Sequence, residues 1–117
     1  MLRLRFLLVP GLLALAFVAS GLAAPAKLNG FVGPGFTIML KNAAGAKVTT
    51  LKPGTYVFAI ADKASDHNFH LSGPGVNKAL TGIAFKGTKL TAVTLKAGTY
   101  RYVCDVHSAM RGSFKVG

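Results

Sequence analysis

The segment YRYVCDVHSAM, residues 100–110, spaces a cysteine, a histidine and a methionine three residues apart. Cys104 is the only cysteine among 117 residues, so the chain offers it no disulfide partner. A lone cysteine near the end of an apolar strand usually only packs in a core. Thiolate, imidazole and thioether groups together are ligands of soft transition metals. Cys104, His107 and Met110 therefore predict a metal site whose remaining ligand must come from elsewhere in the chain.

Strand periodicity indicates which way the cysteine points. In an extended strand, Tyr100, Tyr102 and Cys104 share one face, and Arg101 and Val103 share the other. The charged Arg101 belongs in solvent, so we expect Cys104 to face the interior.

The same test applied to the segment SDHNFHLSG separates two histidines. His67, Phe69 and Leu71 share one face of a predicted strand, and Asn68 and His70 share the other. The two apolar residues belong in the core, which makes His67 the candidate ligand. His70 is expected to be an exposed or hydrogen-bonded strand residue.

A buried thiolate, two imidazoles and a weak thioether form the ligand set of a type 1 copper site, with methionine as the distant axial ligand. Soft sulfur suits Cu(I) and imidazole nitrogen suits Cu(II), so one fixed geometry can serve both oxidation states. We place Cys104, His107 and Met110 on one loop between two strands. A structural zinc site is an alternative for the same cysteine and histidines, although methionine is a poor zinc ligand.

Turn residues recur about every ten positions and separate short segments rich in Val, Ile, Thr, Phe and Tyr. This rhythm is typical of a β-sandwich. The similar segments LKPGTYVF and LKAGTYRY predict two turns at one end, each feeding a strand that runs toward the opposite end. We predict an all-β fold of about eight strands: Gly30–Val32, Phe36–Lys41, Lys47–Leu51, Thr55–Ala61, His67–Leu71, Lys89–Leu95, Thr99–Cys104 and Ser113–Val116.

The N-terminal segment has the organisation of a secretory signal peptide. Arg3 and Arg5 precede an apolar run at residues 6–18 and a tail of mostly small residues at 19–26. We therefore predict a signal peptide at residues 1–26 and a periplasmic or secreted protein.

The remaining residues, 27–117, are enough for one domain with a modest core. Cleavage after Ala23 fits the pattern nearly as well as cleavage after Ala26. An uncleaved membrane anchor is the alternative, because residues 6–26 carry no charge and could span a bilayer.

The charge balance is strongly basic. Fourteen Lys and Arg face three Asp, a net charge of +11, and without Arg3 and Arg5 the charge is about +9. The lysines are spread singly and no nucleic-acid-binding motif is present, which argues against a nucleic-acid partner. We expect attraction to an acidic protein or to an anionic membrane surface.

The paired motifs HNFH and CDVHSAM resemble those of the cupredoxins, the small type 1 copper proteins, and the Cys-x-x-His-x-x-Met spacing is similar to that of amicyanin and plastocyanin-like members. The resemblance implies a Greek-key sandwich and electron transfer through the exposed edge of His107. It implies that Asn68 ties the two ligand segments together by hydrogen bonds. It also implies one copper ion per chain, with these ligands: His67, Cys104, His107 and, axially, Met110. The chain departs from the family in having no tryptophan.

The favoured function is a monomeric carrier of single electrons between redox proteins. A copper-delivery protein without a redox partner is the alternative, but it would favour an exposed Met/His cluster, and residues 27–117 contain only Met39 and Met110. Three histidines cannot supply a second, catalytic copper centre as well, so no enzyme is expected. A cysteine hydrolase would need an oxyanion or substrate motif that the sequence does not show.

Overall fold

The segments between the predicted turns form β-strands. The computed structural model describes residues 24–117, and all regular structure in that part of the chain is β-strand. The predicted all-β class is therefore confirmed. The strands are β1 Ala26–Val32, β2 Ile38–Lys41, β3 Thr50–Leu51, β4 Gly54–Asp62, β5 Phe69–Gly73, β6 Val76–Thr81, β7 Gly87–Leu95, β8 Gly98–Cys104 and β9 His107–Val116.

Two mixed sheets make up the sandwich. One has the strand order β2-β1-β4-β7 and the other has the order β3-β9-β8-β5-β6. The pairs β1–β4 and β3–β9 are parallel, and the other pairs are antiparallel. Consecutive strands repeatedly change sheet, as a Greek-key sandwich requires.

Most of the predicted signal peptide, residues 1–23, lies outside the described residues. Strand β1 begins at Ala26 and pairs along its whole length with β4. Within residues 24–117 there is no helix with the length and apolar character needed to cross a membrane.

Two details of the strand prediction are wrong. The described residues form nine strands, and the one missed is β6, because only its last two residues, Leu80 and Thr81, are buried. The second error concerns the ligand segment: β9 begins at His107 and includes Met110, so the connection after Cys104 is a two-residue turn. Strand β9 extends back to His107 because its backbone pairs with β8. The polar residues of this segment do not indicate that pairing.

Aromatic rings fill the core where two glycines leave space. Gly112 pairs with Tyr102 across β8 and β9, and a Cβ at Gly112 would collide with the Tyr102 ring. A Cβ at Gly73 would collide with the Tyr100 ring in the same way. Tyr102 in turn stacks on Phe69, with ring centroids 5.1 Å apart. The sheet thus buries two tyrosines on the same face of β8 as Cys104.

Candidate metal centre

Cys104 ends strand β8 and is completely buried. Tyr100 and Tyr102 are buried on the same face, and Arg101 between them is exposed. The alternation predicted for this strand is therefore present, and it aims the thiol into the interior.

His67 lies just before β5 and only 3% of it is exposed. Phe69 and Leu71 are fully buried, as predicted, and they draw this segment onto the core. Asn68 is buried as well, because the regular strand begins only at Phe69 and strict alternation does not extend to the two residues before it. His70 is half-buried, on the opposite side from Leu71.

Hydrogen bonds at the end of β4 hold the segment that leads to His67. Asp62 accepts a hydrogen bond from the backbone N–H of Ala64 at 3.2 Å, and Lys63 N–H donates to Val32 O at 2.8 Å. Burial raises the pKa of Asp62, whose Oδ2 has no hydrogen-bond partner among the described residues. These contacts fix the direction in which the chain leaves β4 toward the ligand.

His107 begins β9 opposite Cys104, across the turn formed by Asp105 and Val106. The short turn brings the imidazole back toward the thiol. His107 is half-buried, whereas His67 and Cys104 are buried, so His107 is the member of the group nearest to solvent.

Three ligand atoms converge. The Nδ1 atoms of His67 and His107 lie 3.0 Å apart, and Cys104 Sγ lies 3.8 Å from the first and 3.7 Å from the second. A point equidistant from the three atoms is about 2 Å from each of them. Imidazole nitrogen and thiolate sulfur bind Zn²⁺, a metal ion of similar size to copper, at about 2.0 to 2.3 Å. The three atoms are therefore at a suitable distance to share one metal ion. A single hydrogen bond cannot satisfy all three atoms, but one shared cation can. The donor set of two imidazoles and one thiolate fits a type 1 copper site.

Met110 lies on the inner face of β9, three residues after His107, and is 2% exposed. It belongs to the same buried cluster as Cys104, Phe69 and Tyr102. Its position on the core side of the sheet is compatible with the axial role that the sequence predicts, and that role remains a prediction.

Asn68 joins the two ligand segments. Its Nδ2 donates to Asp105 Oδ2 at 2.8 Å, and its Oδ1 accepts from the backbone N–H of Asp105, also at 2.8 Å. Asn68 follows His67 directly and Asp105 follows Cys104 directly. The pair of hydrogen bonds therefore fixes the turn between Cys104 and His107 against the segment that carries the distant ligand.

His70 extends this network on the outside. Its Nδ1 lies 3.0 Å from Asp105 Oδ2 and its Nε2 contacts Asn77 Oδ1, so the protonated ring donates to both. The hydrogen bond to Asn77 raises the pKa of His70 most, and the hydrogen bond to Asp105 raises it further. Burial alone would raise the pKa of Asp105, but the hydrogen bonds from Asn68 and His70 outweigh it and hold that pKa below its ordinary value. The turn is thus stabilised by a carboxylate that accepts hydrogen bonds from two sides.

Phe36 is a member of the site that sequence reasoning did not identify. Its ring meets both imidazoles edge-on, with centroids 5.0 Å from His107 and 5.5 Å from His67, although Phe36 is 72% exposed. The turn that carries it is closed by a hydrogen bond from Gly33 N–H to Thr37 O at 2.8 Å. The available signal was a phenylalanine directly after the Gly33-Pro34-Gly35 turn, where a large apolar side chain has no core to pack against.

Some known proteins are similar to this chain in sequence or in fold. The chain matches no family model. It is 37% identical over 68 residues to amicyanin-alpha of Methylorubrum extorquens strain AM1, a match that covers 56% of this chain and 57% of the relative, less than two thirds of its length. Among solved structures, auracyanin A of Chloroflexus aurantiacus, described as a blue copper protein, superposes with a TM-score of 0.55 at 17% identity over 80% of this chain and all of its own.

Two further structures show the same fold. Reduced rusticyanin has a TM-score of 0.53 at 22% identity, covering 78% of this chain and 76% of its own. An oxidised amicyanin variant has a TM-score of 0.50 at 20% identity, covering 86% of this chain and 90% of its own.

Proposed function

We propose that this chain, a cupredoxin by its fold and its ligand cluster, is an exported carrier of single electrons between redox proteins. The observation that carries the proposal is the convergence of His67, Cys104 and His107 around a point where one metal ion fits. Copper bound there would alternate between Cu(II) and Cu(I).

The protein's part is to hold the ligands in one arrangement for both oxidation states. His67 and His107 present Nδ1, Cys104 presents its thiolate, and Met110 supplies a weak thioether from the core side. The hydrogen bonds between Asn68 and Asp105 keep the two ligand segments from separating. A site that moves little when its charge changes exchanges electrons with a small reorganisation cost.

The ligand count supports a carrier in preference to an enzyme. A second, catalytic copper centre needs further imidazoles, and the chain has only one other histidine. That residue, His70, is engaged with Asp105 and Asn77 on the outer side. No substrate site is needed for a function in which the partner is another redox protein.

An apolar surface at the metal end is the proposed contact with that partner. Phe36 and Val106 are 72% and 55% exposed, and they lie beside His107, the ligand nearest to solvent. Exposed apolar side chains grouped in this way are typical of a protein–protein contact. The net positive charge of the chain would attract an acidic partner or an anionic membrane surface before this contact forms.

Export through the segment at residues 1–26 is part of the proposal. The N-terminal sequence of the protein recovered from the periplasm or the medium tests it, with cleavage at or near Ala26 expected. Recovery of the intact chain in the membrane fraction would instead indicate an uncleaved anchor.

Reconstitution with Cu(II) tests the copper site directly. We expect one copper per chain and an intense visible band from sulfur-to-copper charge transfer, and Cys104→Ser should remove the band. Bound copper without colour in the unmodified protein would contradict the type 1 assignment.

Electron-transfer rates separate a carrier from a copper-delivery protein. Stopped-flow reactions with an acidic and a basic redox protein, measured across ionic strength, should be faster with the acidic partner, and the reaction with the acidic partner should slow as salt rises. Release of copper to an acceptor chelator faster than electron transfer would favour delivery. Equal, salt-independent rates with both partners would exclude electrostatic steering but would not contradict the copper site.

A further inference from the structure

A group of basic and hydroxyl side chains lines a cavity on the outer face of the sheet that carries the metal ligands. The cavity has a volume of about 420 Å³ and is lined by two arginines, Arg101 and Arg111, and three serines, Ser72, Ser108 and Ser113. None of these side chains is a ligand of the copper site.

Strand register places the arginines side by side. Arg101 on β8 pairs with Ser72 on β5 and with Ser113 on β9, and Arg111 on β9 pairs with Val103 on β8. Paired residues of neighbouring strands share a face, so Arg101 and Arg111 are diagonal neighbours about 7–8 Å apart at the backbone. Both side chains are exposed and long enough to reach across the cavity.

Within residues 24–117, no carboxylate pairs with either of these arginines. The acidic residues of the chain are three aspartates. Asp62 is buried, Asp66 lies 3.8 Å from His67, and Asp105 accepts from Asn68 and His70. Two guanidinium groups on one face repel each other, and an anion from outside bound between them would offset that repulsion.

The donors define the kind of anion. A guanidinium presents two parallel N–H groups that match a pair of oxygens, and each serine adds a hydroxyl donor. Two guanidinium groups and three hydroxyls exceed what the two oxygens of one carboxylate can accept, whereas a phosphate group offers more oxygens. The cavity is also within the usual size range of small-ligand sites.

We propose that this cavity, formed by Arg101, Arg111 and the serine hydroxyls, binds a phosphate group. The group could belong to free phosphate or to a phospholipid head group, and the chemistry of recognition is the same. The two guanidinium groups are separate from the copper ligands, because Arg101 and Arg111 lie on the opposite face of the sheet from Cys104 and Met110.

An NMR titration with inorganic phosphate at constant ionic strength tests the site. Amide shifts should saturate and should cluster on β8 and β9 around the cavity. Arg101→Gln and Arg111→Gln should each weaken binding about tenfold, the effect expected for loss of one charge-assisted hydrogen-bonding group. Arg101→Lys should recover only part of the affinity, because it restores the charge without the fork.

Lys115→Gln is the matched control. Lys115 is exposed on β9, two residues beyond Ser113, does not line the cavity, and carries the same charge as the arginines. It should change affinity less than twofold. An equal loss for Lys115→Gln, or shifts that never saturate, would overturn the proposal and leave only general attraction of anions to a basic protein.

Vesicles of phosphatidylglycerol distinguish the two sources. If the head group is the ligand, Arg101→Gln should release the protein from vesicles at a lower salt concentration than Lys115→Gln does. If both variants leave vesicles at the same salt concentration while phosphate binding still depends on Arg101, free phosphate is the ligand.

Discussion

The bridge between Asn68 and Asp105 determines how firmly the ligand segments are held. Asn68→Ala removes two hydrogen bonds of 2.8 Å, one to a carboxylate and one from a backbone N–H. A hydrogen bond to a charged group contributes about 1.5–3 kcal/mol and a neutral one about 1 kcal/mol. The Asp105 side chain is 45% exposed, so water recovers part of the charged bond. We therefore expect the free energy of unfolding to fall by about 2–3 kcal/mol.

Copper affinity should fall as well, because Asp105 lies between two of the ligands. Loss of a residue that orients metal ligands typically weakens metal binding by about 10- to 100-fold. Urea unfolding of the metal-free protein measures the first effect, and competition with a copper chelator measures the second. The visible band should broaden as the ligand segments gain freedom.

Asn42→Ala provides a matched control far from the ligands. The Asn42 side chain also accepts two hydrogen bonds, from the N–H groups of Ala44 and Ala46, but in an exposed turn. It should cost about 1 kcal/mol of stability and leave copper affinity unchanged. If Asn68→Ala binds copper as tightly as the unmodified protein, or if Asn42→Ala weakens binding equally, the bridge does not position the ligands.

Three further predictions concern single side chains. Met110→Leu should raise the reduction potential in voltammetry while the colour persists, since it removes a weak donor; loss of copper would make Met110 a primary ligand. His67→Ala should abolish the visible band and His70→Ala should leave it nearly intact, and the reverse pattern would contradict the ligand assignment. The raised pKa of His70 gives a stability contribution that is full below the unfolded-state pKa of about 6.5 and is lost as the pH rises through the higher folded-state pKa. The free energy of unfolding, measured in urea across this pH range, should show that loss. If His70→Gln keeps the same pH dependence, the loss of stability belongs to another titrating group.

The sequence predicted the residues that face the core better than it predicted the strand ends. Alternation works at Tyr100, Tyr102 and Cys104 because one face of β8 is buried and the other is solvated. It fails at β6, where Leu80 and Thr81 alone are buried and the strand is held by backbone pairing with β5. Backbone hydrogen bonds leave no mark in the side-chain pattern.

The three-ligand cluster was predictable because its chemistry requires particular residue types: Cys104 and His107 stand at short spacing, and the apolar residues Phe69 and Leu71 pointed to His67 as the distant ligand. The surroundings of the cluster were less predictable. Phe36 meets the imidazoles edge-on because separate loops come together at one end of the sandwich. Asn77 contacts His70 across the pair of strands β5 and β6, and the sequence did not predict β6. Contacts between residues distant in sequence depend on topology, which a single sequence does not specify.

The space that Gly112 leaves for the Tyr102 ring has a consequence for recognising this centre in other chains. Any side chain at Gly112 would displace that ring, which stacks on Phe69, two residues beyond His67. The disturbance would thus reach the segment of the distant ligand through the stacked rings of Tyr102 and Phe69. A search or a design that keeps only Cys104, His107 and Met110 therefore uses too short a motif: the pattern that specifies the centre extends to Gly112, a residue that offers no donor atom to a metal.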